Sequence, residues 1–148
     1  RRAMTVTIPW LGVLVAVVAS FAVGFVYFGP KTMFPIWWRA MGRSTDDVPG
    51  QPGGLGMGAV FGLTLLGALV QALTLSWLLQ ASASLYGDAD VTPGHGLLVG
   101  ALVGLGIAGA ASLGHRLFAG HGLVVWAIET VGDVLALMVM GLALSFFL

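Results

Sequence analysis

Cysteine is absent from this chain, which removes disulfides, thiolate metal sites and a cysteine nucleophile from consideration. Charge is scarce as well. Only 8% of the 148 residues are Asp, Glu, Lys or Arg, against about 25% in soluble domains. Six basic and six acidic side chains cannot cover the surface of a soluble protein in which 58% of residues are hydrophobic. Lipid must therefore be the solvent for most of the chain. Formal net charge is zero, so no basic patch points to nucleic acid. Enzyme signatures are missing too: there is no nucleophile elbow, phosphate-cradling loop or zinc-binding helix motif. The expectation is a non-enzymatic protein without a cofactor or resident metal.

Hydrophobic runs supply what is present. A helical span takes about 20 apolar residues, and the chain holds four such runs. They predict an all-α polytopic membrane protein, a single four-helix domain over 1–148, with spans at about 6–28, 56–82, 96–117 and 123–147. Arg1-Arg2 ahead of the first run also fits a signal peptide, but its length and the three further runs favour an uncleaved span. No soluble tail is expected after the fourth.

Between spans one and two, Lys31 to Arg43 mixes three cations (Lys31, Arg39 and Arg43) with Phe34, Trp37 and Trp38. Such a segment suits the headgroup layer, with aromatics down and cations up. It reads as an interfacial anchor, with a lipid- or partner-binding strip as the sharper alternative. Asp46, Asp47, Pro49 and Pro52 mark a loop, and Gly87 to Gly94 marks a turn. His95, beside Pro93 and Gly94, reads as a solvated loop residue. Gly96, Gly100 and Gly104 repeat every four residues, as do Gly54, Gly58 and Gly62. Small residues at that spacing let helix backbones approach closely, within one chain or between copies.

Span four carries the most informative pair, Glu129 and Asp133. Four residues apart on a helix, they project from one face, which Trp126, Ala136 and Met140 share. If the span starts near Leu123, Glu129 lies roughly 10 Å deep and Asp133 about 16 Å deep. Ionisable groups at that depth usually face a partner, a cavity or an ion path. Arg116, His115 and His121 in the preceding turn are the candidate partners. An arginine there could reach Glu129 but hardly Asp133, which is then neutral or meets a cation from another subunit. Three roles compete: hydrogen bonding within the bundle or to a partner, a proton or cation path, and a metal site built with the histidines, whose spacing is not a ligand motif.

The segments Tyr27-Phe28-Gly29-Pro30, Trp37-Trp38-Arg39-Ala40-Met41-Gly42 and His115-Arg116-Leu117-Phe118 carry a resemblance over nearly the whole chain. It resembles the bacterial membrane family catalogued as domain of unknown function 1761. The resemblance implies a four-helix membrane domain and no established activity. It also implies an asparagine and a histidine where this chain has Glu129 and Asp133, and an Asn-Tyr pair where it has His115-Arg116.

The reading that follows is a small accessory or scaffolding subunit of a larger complex. A small proton- or cation-coupled transporter or a lipid-binding protein are the alternatives. Its partners would be membrane lipid and either another membrane subunit or further copies of itself. Five of the six basic residues are arginine, which fits GC-rich coding and a bacterial cytoplasmic membrane. Lys31, Arg39, Arg43 and Arg116 share one side of the membrane, and Arg1 and Arg2 the other. Because cytoplasmic loops favour Lys and Arg, both termini are expected outside. A single cysteine at Ser44 should then resist a membrane-impermeant thiol reagent in intact cells, and one at Asp90 should react; reversed labelling would overturn this orientation.

Overall fold

Inside a bilayer, backbone N–H and C=O groups must be satisfied within the protein, and a helix does this within one segment. The four apolar runs follow that rule in the computed structural model, which describes residues 6–49, 54–85 and 90–148. Helix α1 spans Trp10–Tyr27, α2 Phe34–Ala40, α3 Met57–Leu85, α4 Pro93–Val103, α5 Ala110–Phe118 and α6 Gly122–Leu144. A π-helical turn, Gly104–Gly109, joins α4 to α5. Four rods result: α1, α3, α4–α5 and α6. Each is long and apolar enough to cross a membrane, and no strand occurs among the described residues. Arg1, Arg2, Pro52, Gly87 and Asp88, used above for topology and turns, lie outside the described residues.

Local chemistry sets the ends. Helix α1 begins after Pro9, later than the expected Val6. Thr92 caps α4, its hydroxyl accepting from the His95 N–H at 3.2 Å, and Pro93 holds the first helical position, where a missing N–H costs little. Thr32 closes the far end of α1 by donating to the Val26 and Tyr27 carbonyls. The reversal into α6 uses left-handed Gly120 and Gly122, with φ of 75° and 80°. That conformation costs glycine little and any residue with a Cβ considerably more.

Helix α6 is the centre of the bundle. Its Gly141 lies backbone to backbone against Gly96 of α4, and a side chain at Gly100 would collide with the Leu137 carbonyl. A Cβ at Gly104 would meet the Val134 Cα at 2.7 Å. These three glycines pack as the spacing predicts. Gly58 and Gly62 do not: a Cβ at either meets nothing within 4 Å. The reason lies in α3, whose buried residues begin only at Ala68 and continue through Ala72, Leu75, Ser76, Leu79 and Ala83. Only its second half joins α1 and α6. The core accordingly gathers at one end, around Val13, Ala16, Leu75, Leu79, Leu137, Met140 and Leu144. The other end is open on the α3 side.

Enlarging a glycine in the α4–α6 contact forces two backbones apart, whereas enlarging one on the free half of α3 does not. Gly100→Leu should destabilise the protein by at least about 2–3 kcal/mol and Gly62→Leu by less than about 0.5 kcal/mol. Thermal unfolding of the purified variants in detergent measures both, and equal melting temperatures would mean that α4 does not press on α6.

Candidate functional site

At the open end, the turn after α1 and helix α2 fold back onto α6. The Tyr27 hydroxyl donates to the Ile128 carbonyl at 2.9 Å. The rings of Tyr27 and Phe28 flank Gly132, where a Cβ would lie 3.0 Å from Phe28. Phe28 meets Trp37 edge to face at 5.6 Å. This chain of rings carries α2 to the side of α6, where the acids sit.

Glu129 is fully engaged. The Trp37 indole N–H donates to its Oε1 at 2.9 Å, and Arg116 Nε donates to its Oε2 at 2.5 Å. The carboxylate side chain is 15% exposed and the arginine 35%. Arg116 also lies 3.2 Å from His121 Nδ1 through Nη1, so one guanidinium links the α5–α6 turn to the acid. The histidine can accept there only in the tautomer with a bare Nδ1. Charge-assisted bonds of this kind are roughly twice as strong as neutral ones. Of the partners expected from sequence, Arg116 bonds Glu129 directly, His121 reaches it only through Arg116, and His115 stands exposed without a described bond.

Trp37 is the partner that sequence reasoning missed. Its composition suggests the headgroup layer for it and Trp38, yet Trp37 is half-buried with its N–H on Glu129 and Trp38 is buried. Trp38 stacks on Phe34 at 5.4 Å and donates to the Ser44 carbonyl. The segment is less amphipathic than its composition, because its large aromatics hold α2 to α6 and to its own loop. The only prior signal was the chance of a ring N–H finding a buried acceptor. His95 also departs from expectation. It sits half-buried in the first turn of α4, with Nε2 2.8 Å from the Ser82 hydroxyl.

Asp133 has the opposite fate. It is the central residue of α6, it is exposed, and it makes no hydrogen bond or ion pair among the described residues. It lies on the α6 face of Ala136 and Met140. Those two residues line a cavity of about 380 Å³ with Phe28, Phe61, Thr64 and Gln71. Gln71 is the central residue of α3, exposed and likewise without a described hydrogen bond. The half of α3 that stands off the bundle therefore leaves a lateral cleft lined at mid-span by the Gln71 amide, and Asp133 shares the α6 face of Ala136 and Met140 without itself lining it. Toward the start of α6, the Trp126 indole donates to the Gly109 carbonyl at the π-helical turn at 2.8 Å. π-Turns recur at functional sites; this one shapes the wall that Thr130 packs against.

The family described as Protein of unknown function (DUF1761) matches residues 11–145, which take in the four long rods except for Trp10 at the start of the first. The chain belongs to that family, as the three short motifs implied. No curated protein and no solved structure matches the chain. Two of the places where the resemblance implied other residues, Arg116 and Glu129, are the two ends of one ion pair.

Removing one partner of that pair strands the other. Arg116→Met should destabilise the protein by about 1–3 kcal/mol by leaving the Glu129 carboxylate short of a donor. Replacing both groups, Arg116→Met with Glu129→Met, should recover part of the loss. A double-mutant cycle on thermal unfolding in detergent gives the coupling, and simple additivity of the two single losses would rule the pair out as a structural tie.

Proposed function

We propose that this member of the family is a small, non-enzymatic accessory or scaffolding subunit of a larger membrane assembly, docking a partner's transmembrane helix in the cleft beside Asp133. The observation that carries the reading is Asp133 itself. A carboxyl at mid-span, exposed and without a hydrogen bond among the described residues, is costly in lipid and is relieved by a donor from outside the chain. Gln71, exposed on α3 and also without a described bond, adds polar capacity on the opposite wall. Glu129 plays no direct part in docking, since Arg116 and Trp37 occupy both its oxygens. The setting is a bacterial cytoplasmic membrane with both termini outside.

The competing reading, a proton- or cation-coupled transporter, draws on the same side chain but makes the opposite demand. Docking needs a hydrogen-bonding group at position 133, whereas transport needs one that titrates. Asp133→Asn should therefore keep the partner in gentle affinity purification, and Asp133→Leu should lose it, for a contact worth roughly 1 kcal/mol. Reconstituted protein is assayed for proton or cation flux in parallel. Flux in the parent that vanishes in Asp133→Asn, with assembly intact, would sink the subunit reading in favour of transport.

A further inference from the structure

On the face of α1 away from the Asp133 cleft, a second groove of about 490 Å³ runs between α1 and α6. We propose that this groove and the cations at its mouth bind one anionic phospholipid, an acyl chain in the groove and the phosphate on Lys31 and Arg39. The walls are Ala22, Val23, Val26, Met33 and Leu135, with Tyr27 and Thr32 at the top. Thr32 turns its hydroxyl proton to the Val26 and Tyr27 carbonyls, so its donor is spent and the groove walls are otherwise hydrocarbon. Val26 and Leu135 are exposed, which leaves the groove open sideways to the bilayer. Its length, the last two turns of α1, suits a chain segment better than a helix.

The mouth has the matching charge. Lys31 adjoins Thr32 in sequence and is exposed. Arg39 folds back along α2, its Nε donating to the Pro35 carbonyl at 3.1 Å. That brings its guanidinium toward the first turn of α2, the end that follows Met33. Neither cation is in an ion pair among the described residues, where the one salt bridge is Arg116 to Glu129. Of the nearby acids, Asp47 accepts from the Ser44 N–H. Arg43 lies over the Trp38 ring at 5.8 Å, at the far end of α2, and is not part of the site. Two unneutralised cations above a hydrocarbon slot describe the two halves of an anionic lipid. A soluble phosphate would use only one of them.

Native mass spectrometry of the purified protein tests this with phosphatidylglycerol and phosphatidylcholine of equal chain length. Phosphatidylglycerol should bind at least tenfold more. Lys31→Gln and Arg39→Gln should each lower that preference about fivefold, and Arg43→Gln should leave it nearly unchanged. Val23→Trp, which fills the groove, should reduce binding of both lipids, and glycerol phosphate at equal concentration should displace neither. Lys31→Gln alters an exposed loop residue, so it keeps the test readable even if the groove variant folds poorly. Equal binding of the two lipids, or a preference untouched by the Lys31→Gln, Arg39→Gln double variant, would overturn the site. Displacement by glycerol phosphate would overturn the groove's part in it. Asp133 variants should leave all these readings unchanged, which separates this outcome from that of the docking proposal.

Discussion

The contact of α4 with α6 is the constraint on which the other elements depend. Four-residue glycine spacing removes side chains from one stripe of α4, and Gly141 does the same on α6, so the two backbones touch. In lipid there is little hydrophobic gain from helix association, so close van der Waals packing has to supply it. Once α4 occupies one side of α6, the helix has two faces left. One takes α1 through Gly132 and the rings of Tyr27 and Phe28. The other takes the second half of α3, and there the core forms.

The two acids show how much position decides. They are four residues apart on one helix and carry the same functional group. Glu129 lies within reach of the α5–α6 turn and of α2, and obtains an arginine and an indole. Asp133 lies one turn deeper, makes no ion pair among the described residues, and faces the half of α3 that stands off the bundle. The first is thereby tied into the bundle, and the second has no hydrogen bond or ion pair among the described residues. The resemblance marks both acids as departures, together with His115 and Arg116. The structure gives a reason for two of the four, since Arg116 and Glu129 neutralise each other.

The segment after α1 divides its residues by chemistry. Its tryptophans go inward, to Glu129 and to the Ser44 carbonyl, and its cations stay out. The aromatic rings thus fix α2 against the bundle, while Lys31 and Arg39 stay exposed. An amphipathic composition made the segment legible as interfacial, but the division of labour follows from which surfaces α6 leaves bare.

Sequence alone determined the all-helical class, the four long apolar helices, a tight turn before the last of them, and the close packing of Gly96, Gly100 and Gly104, and it singled out Glu129 and Asp133. Each of these is a local or periodic property: run length, glycine spacing, or an ionisable group in an apolar stretch. The family was legible for the same reason, in three short aromatic motifs. What tertiary structure decided is which surfaces meet. Gly58 and Gly62 have the same spacing as the glycines of α4, yet they face open space, because α6 has no free glycine stripe left to receive them. Trp37 has the composition of an anchor, yet it binds an acid 92 residues away. Burial and pairing depend on neighbours distant in the chain, and no local pattern encodes them.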